Sequence, residues 1–226
     1  ERVRGVVARK AGRHPHEIRL MNLPSPDAMP FDNITAKHFD SGDYPTCLKK
    51  AVDAIDFASI RERQMTPEAD GRKIGIGLSI FCEQGAHGTT VYAGWGIPMV
   101  PGHEQCGARI TPDGELELRI GAHSHGQGLE TTLAQVAHEI LGIDPGLVRL
   151  VHGDTGVTPY STGTWGSRCM VMSGGAVATA CEALGERAKR IGASLLQADE
   201  TDVRIEGGSV VAPKNAISLT DIAQVW

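Results

Sequence analysis

Residues 121–142, GAHSHGQGLETTLAQVAHEILG, constrain the fold more than any other stretch of the chain. The alternating run LELRI enters it, two glycines bracket Gln127, and a helical pattern leaves it with Leu129, Leu133, Val136 and Ile140 on one stripe. GLVRLVHGD then returns as a strand. Just upstream, Pro112-Asp113-Gly114 separates two alternating runs and reads as a hairpin turn. Strands, a helix and a further strand in this order predict an α+β fold, with helices packed on a mixed sheet.

The remaining elements follow from the same patterns. Val3, Val6 and Val7 give residues 1–12 a helical look, and Pro15 can open a short helical turn. Proline-rich residues 24–44 read as an extended loop. A helix is expected next, with Cys47, Leu48, Ala51, Val52, Ile55 and Ala58 on one face. MTPEADGRK is a polar turn and the expected boundary, dividing residues 1–70 from 71–226. Beyond it, KIGIGLSIFCEQGA has the glycine-dotted apolar texture of a buried strand. Residues 172–197 form a long helix whose many Ala and Gly suit close packing on a sheet. DVRIEGGSVVAP is a hairpin turning at Gly207-Gly208, and SLTDIAQVW begins a helix.

Bulk properties exclude several classes. Of 226 residues 41% are hydrophobic and 22% charged, the mixture of a globular chain. A net charge of -5 argues against a nonspecific nucleic-acid surface. No apolar run reaches the roughly 20 residues of a membrane helix. Five scattered cysteines, with no CxxC pair, fit reduced thiols in a cytoplasmic protein better than a disulfide framework. The chain starts mid-element with no initiator Met and no signal peptide, as a piece of something longer would.

Two loops carry candidate chemistry. In HGQGLETT, Gly126 and Gly128 let backbone approach a ligand, and a helix N-terminus presents free N–H groups that stabilise a phosphate. Gln127 adds a donor and an acceptor, Thr131 and Thr132 add hydroxyls, and the bland alternative is that the glycines only make the turn. The second loop, within residues 153–176, holds more Gly, Ser, Thr and Pro than a linker needs. Its Arg168 precedes a helix, against the dipole preference for acids there, and an anionic ligand would resolve the conflict. His123, His125 and His138 lack the spacing of a zinc site, and no HExxH is present. The cysteines give no iron–sulfur spacing, and GTWGSRC is not a nucleophile elbow.

Taken together, GQGLETTLAQVAHEILGI, VRLVHGDTGVTPYSTGTWGSR and SGGAVATACEAL resemble the molybdopterin-binding large subunit of the molybdenum hydroxylases: xanthine dehydrogenase, aldehyde oxidase and aerobic carbon monoxide dehydrogenase. HPHEIRLMNL and DSGDYPTCLKKA look like that family's link between two molybdopterin-binding halves. The resemblance implies that residues 1–70 are a linker from the first half and 71–226 an α+β second half, incomplete at its C-terminus. It implies that Gln127, Gly128, Leu129, Glu130, Thr131 and Thr132 form one wall around molybdopterin cytosine dinucleotide. Thr164, Trp165, Gly166, Ser167 and Arg168 would form the other, Arg168 as a charge partner, with His125 a supporting polar contact. The metal would be held by the pterin's sulfurs rather than by protein ligands. The activity implied is oxidative hydroxylation of an aldehyde, an N-heterocycle or a CO-like substrate, with electrons leaving through partner iron–sulfur and FAD subunits. The family's basic glutamate, in a GVGE context, has no counterpart here, so no catalytic residue is assigned and the chain alone is expected to be inactive. A noncatalytic scaffold that keeps the fold is the alternative; a zinc hydrolase is a third.

Overall fold

A computed structural model describes residues 2–225, which divide into two compact units, Glu1–Cys82 and Glu83–Trp226. The division falls after the expected boundary because residues 73–82 belong with the first unit. Gln64 Nε2 donates to Ile74 O at 2.9 Å, Arg19 Nη2 to Leu78 O at 3.1 Å, and the Tyr44 hydroxyl meets Cys82 Sγ at 3.3 Å. This run is extended without regular secondary structure, so the buried strand expected over KIGIGLSIFCEQGA is not formed.

The first unit holds α1 (Arg2–Lys10), α2 (Pro15–Leu20), the short ladder of β1 (Phe31–Asp32) and β2 (His38–Phe39), α3 (Tyr44–Ala54) and α4 (Phe57–Arg63). One continuous helix was expected over α3 and α4. Asp56 divides it by taking φ +47°, in the left-handed region that Asp tolerates, and it caps α4 by accepting from Ser59 N at 3.4 Å. Val7, Leu23, Phe31, Phe39 and Tyr44 line a cavity of about 720 Å³ within this unit, which shares no residue with the two glycine loops.

The second unit opens with α5 (Thr89–Gly94) and continues into β3 (Cys106–Ile110) and β4 (Leu116–Ile120), an antiparallel hairpin turning at Pro112-Asp113-Gly114 as expected. Helix α6 (Leu129–Leu141) then crosses to β5 (Val148–Val151), which pairs parallel to β4 and makes the sheet mixed. Helix α7 (Gly174–Leu196), the ladder of β6 (Arg204–Glu206), β7 (Ser209–Val211) and β8 (Ala216–Ser218), and α8 (Leu219–Val225) complete the unit.

Leu116, Leu118 and Ile120 of β4 are fully buried with Leu133, Ala137 and Leu141 of α6 and Val177 and Cys181 of α7. The deepest stripe of α6 is therefore 129, 133, 137, 141, and Val136 and Ile140, placed on it by periodicity, sit at its margin. The small residues of α7 have a steric reason. A Cβ on Gly192 would lie 2.7 Å from Val210 Cγ1, and one on Gly185 would lie 3.3 Å from Leu141 Cδ2. Gly142 ends α6 at φ +67°, a conformation that favours glycine, and the Gly207-Gly208 turn packs on it so tightly that a Cβ would meet both amide nitrogens at 2.7 Å.

Glu117 is 2% exposed, yet it is covered by arginines rather than by apolar core. Arg119 Nε donates to it at 2.7 Å, Arg149 pairs with it, and Arg109 stands at 3.4 Å. The Arg119 hydrogen bond, with the charges of Arg109, Arg119 and Arg149, holds this carboxyl below its ordinary value of 4.5. The depressed pKa contributes stability that is present above about pH 4.5 and is lost as pH falls through the folded value. Glu117→Gln leaves three cations without their anion and should cost about 2 kcal/mol at pH 7. Denaturant melts of both proteins should converge as pH drops toward 3, and a gap that persists unchanged would exclude the carboxylate as its source.

Candidate functional site

The first glycine loop connects β4 to α6. Gly128 is the N-cap residue of α6 at φ +81°, and Gly126 lies at φ +94°. Beyond their chain neighbours, no heavy atom lies within 4 Å of the position a Cβ would take on either glycine. Gly128 has no side chain with which to cap this end of α6, and the Glu130 carboxylate takes up the backbone N–H of its own residue in the first turn. Gln127 Oε1 accepts from His125 N at 2.5 Å, which folds the loop on itself. Leu129 is buried as the first core residue of the helix. Thr132 turns back to donate to Gly128 O at 3.2 Å, and Thr131 is exposed on the helix surface.

Glu130 reaches sideways. Its Oε2 accepts from Ser124 Oγ at 3.0 Å, and its Oε1 meets His152 Nε2 at 3.0 Å. The hydrogen bond from its own backbone N–H, then those from His152 and Ser124, hold the Glu130 carboxyl below the usual range. His152 Nδ1 in turn lies 3.1 Å from His123 Nδ1. His138 does something different: its Nδ1–H donates to Ile143 O at 2.9 Å and closes the far end of α6. Among the described residues no grouping of three or more His, Cys, Asp or Glu is arranged to hold a metal ion.

The second loop converges on the first. His123 N donates to Thr164 Oγ1 at 2.8 Å, and Thr164 Oγ1 donates back to His123 O at 2.5 Å. At the base of the first loop, a Cβ on Gly121 would reach Ser161 N at 3.0 Å. Trp165 stacks on Tyr92, with centroids 5.3 Å apart and planes 14° apart, and meets the His87 ring edge-on at 5.1 Å. Gly166 lies at φ +55° with the His87 ring pressed against the space its Cβ would need. Ser167 also takes a left-handed φ, +48°, and its carbonyl accepts from Ala86 N at 3.2 Å.

Arg168 is turned inward. It is fully buried, and its guanidinium is taken up inside the chain. Nε donates to His87 O at 2.9 Å, Nη2 to Gly102 O at 2.9 Å, and Nη1 to Gly163 O at 2.9 Å and to the Glu104 carboxylate. A wide π-helical turn, Cys169–Ser173, separates it from α7. An anionic ligand was expected to offset Arg168 near the helix start; in the structure the Glu104 carboxylate of the same chain pairs with it. Glu104 is fully buried with it and also accepts from Ser161 Oγ at 2.8 Å. Sequence reasoning passed over Glu104, His87, Tyr92, Trp95 and His152 as parts of this region. Of these, only the aromatic grouping of Tyr92 and Trp95 carried a local signal.

A family model described as the molybdopterin cofactor-binding domain matches residues 50–226. The chain belongs to this family. As a molybdopterin cofactor-binding domain it is 34% identical to the 6-hydroxypseudooxynicotine dehydrogenase complex subunit gamma of Paenarthrobacter nicotinovorans, over 99% of this chain and 27% of that protein. It is 35% identical to the carbon monoxide dehydrogenase large chain of Hydrogenophaga pseudoflava, over 90% of this chain and 25% of that one. Its fold matches the crystal structure of quinoline 2-oxidoreductase from Pseudomonas putida 86 with a TM-score of 0.68 and 30% identity, over 98% of this chain and 28% of that one. The chain thus spans about a quarter of the length of the relatives it matches.

Proposed function

We propose that this chain forms, within a longer large subunit, part of the wall that holds molybdopterin cytosine dinucleotide in a molybdenum-dependent hydroxylase or dehydrogenase. The observation that carries the reading is the joining of the two glycine loops through the reciprocal His123–Thr164 hydrogen bonds. The start of α6, with open space beside Gly126 and Gly128, fits a phosphate-bearing group through the first-turn N–H donors that Glu130 does not take up and the positive end of the helix dipole. Gln127, Gly128, Leu129, Glu130, Thr131 and Thr132 make one wall by this reading, with Leu129 anchoring the helix from the core side. Thr164, Trp165, Gly166 and Ser167 make the other, and Arg168 holds that wall in shape from behind.

When bound, the cofactor would supply the oxidative hydroxylation chemistry, with electrons passing to iron–sulfur and FAD partner subunits of a cytoplasmic complex. This chain's residues would bind and orient it and keep water from its loops. An aldehyde, an N-heterocycle or a CO-like molecule is the substrate class that the family relationship supports. No residue here is assigned as catalytic base. The test is the metal and nucleotide content of the complete large subunit, purified with its partners after molybdate-replete expression. Molybdenum and acid-released cytidine monophosphate near one per subunit are expected, and the 226-residue chain alone should show no turnover. A subunit that contains neither would favour a scaffold that has kept the fold; a different released nucleotide would exclude the cytosine form.

A further inference from the structure

A hollow of about 470 Å³ within the first unit gathers arginines without an acid. Arg2 and Arg9 stand on one face of α1, Arg13 follows in the turn to α2, and Arg61 comes from α4. The extended run closes the hollow with residues 76–78. The lining contains no Asp or Glu, and among the described residues no carboxylate forms an ion pair with any of these four arginines. The 2.7 Å hydrogen bond from His14 N, then the charges of His14 and Arg13, hold the Glu17 carboxyl below the usual range, but Glu17 lies outside the lining. Asp53 and Asp56 line an adjoining hollow, where Asp56 is taken up by Ser59 N. Arg61 donates to Gln64 Oε1, a neutral acceptor that leaves its charge uncompensated. Clustered like charges repel, and Arg2, in the first turn of α1, also meets the positive end of the helix dipole. A bound polyanion offsets both costs.

Glycine gives a second, steric indication. Gly5 lies between Arg2 and Arg9 on the same face, inside α1, where glycine is less favourable than alanine. It is not in the left-handed region, and no heavy atom lies within 4 Å of the position its Cβ would take. Neither the backbone nor the packing of this chain requires glycine there. Gly77, in the same lining, has the same open space. Two bare stretches of backbone therefore border the hollow, as they do where a ligand approaches closely. Phe57, Ile76 and Leu78 add an apolar side.

We propose that this arginine hollow is a binding site for a polyphosphate group, distinct from the two glycine loops. Four guanidinium forks around one hollow exceed what a single sulfate or carboxylate can satisfy, whereas linked phosphoryl groups meet several forks at once. The bare backbone at Gly5 lets the ligand lie against α1. Inorganic triphosphate and the triphosphate of a nucleotide share this chemistry, and a nucleotide adds an organic part that the Phe57, Ile76 and Leu78 side accepts. The site shares no residue with the cofactor walls, so it stands or falls without the reading above.

The test is calorimetric titration of the chain with inorganic triphosphate at physiological ionic strength, with sulfate as the single-anion control and adenosine triphosphate as the nucleotide. Triphosphate should bind at least about tenfold tighter than sulfate, since each further charge-assisted hydrogen bond is worth about a factor of ten. Adenosine triphosphate binding tighter than the inorganic ion assigns the site to a nucleotide; equal or weaker binding assigns it to free polyphosphate. Arg9→Gln combined with Arg13→Gln should weaken triphosphate at least about tenfold. Gly5→Leu is the sharper variant. Leucine is a better helix former than glycine and enters open space, so the melting temperature should not fall, yet its side chain fills the hollow and affinity should drop at least about tenfold. Circular dichroism checks that the variants fold. Gly128→Val, which alters the first glycine loop, should leave triphosphate binding unchanged. Equal affinity in the parent, Gly5→Leu and the double variant shows only a diffuse cationic surface and overturns the proposal. Loss of binding in Gly128→Val places the ion at the glycine loops and overturns it as well. Molybdenum content of the complete subunit bears on the cofactor reading alone.

Discussion

Arg168→Ala should lower the melting temperature of the cofactor-free chain by roughly 10 °C, a loss of about 3–5 kcal/mol. The magnitude follows from what is left behind. Removing the guanidinium strands the Glu104 carboxylate in a fully buried position and leaves the carbonyls of His87, Gly102 and Gly163 without their donor. An orphaned buried charge costs far more than the net worth of the pair it came from. Arg168→Lys should recover little, because an ammonium cannot span four acceptors that a planar fork reaches at once. Glu104→Gln should destabilise too, by less, since its amide can still accept from Arg168 and Ser161. The experiment separates two roles for the arginine. A phosphate ligand would leave the melt of the cofactor-free chain unchanged and empty only the loaded subunit. A strap holding residues 163–168 against 87–104 lowers the melt before any cofactor is present, and molybdenum content falls as a consequence. Calorimetry of the cofactor-free variant decides between them, and an unshifted transition would return Arg168 to the ligand.

The difference between what the sequence disclosed and what it hid is one of range. Helix α6 was legible to the residue because both its ends are local: Gly128 and Gly142 take left-handed backbone angles, and the apolar spacing between them is helical. The Pro112-Asp113-Gly114 and Gly207-Gly208 hairpins were legible for the same reason. The apolar run from residue 73 looked like a buried strand because composition reports burial, not pairing; its backbone instead meets side chains such as Arg19 and Gln64. The α3–α4 break was hidden because hydrophobic periodicity carries across Asp56, whose backbone angle is not written in its neighbours. At the site, both loops were found from their glycines. Their cross-links were not, since Arg168 and Glu104 are 64 residues apart and His123 and His152 are 29 apart, with nothing local to mark either pair. The dipole argument at Arg168 asked for an anionic ligand; no sequence rule said that the chain would place a carboxylate of its own, Glu104, against it.

Gly128→Val should empty the cofactor site while leaving the fold in place. A branched residue at φ +81° is strained by about 1–2 kcal/mol, enough to lower the melt by a few degrees but not to unfold a unit with this core. The larger consequence is steric. A Cβ here projects into space where nothing lies within 4 Å, at the residue that opens α6. Two methyl groups in that space occupy what a phosphate-bearing ligand needs, so molybdenum content of the complete subunit should fall at least tenfold. Gly142→Val is the matched comparison. It too is a glycine at positive φ, but a Cβ there meets the amides of Gly207 and Gly208 at 2.7 Å, so its damage must appear in the melt of the cofactor-free chain. If the two variants lose stability and molybdenum in the same proportion, the loop glycine acts through folding and the open face of α6 has no ligand of its own. If Gly128→Val keeps most of its stability and loses most of its metal, backbone approach at the helix start is what holds the cofactor.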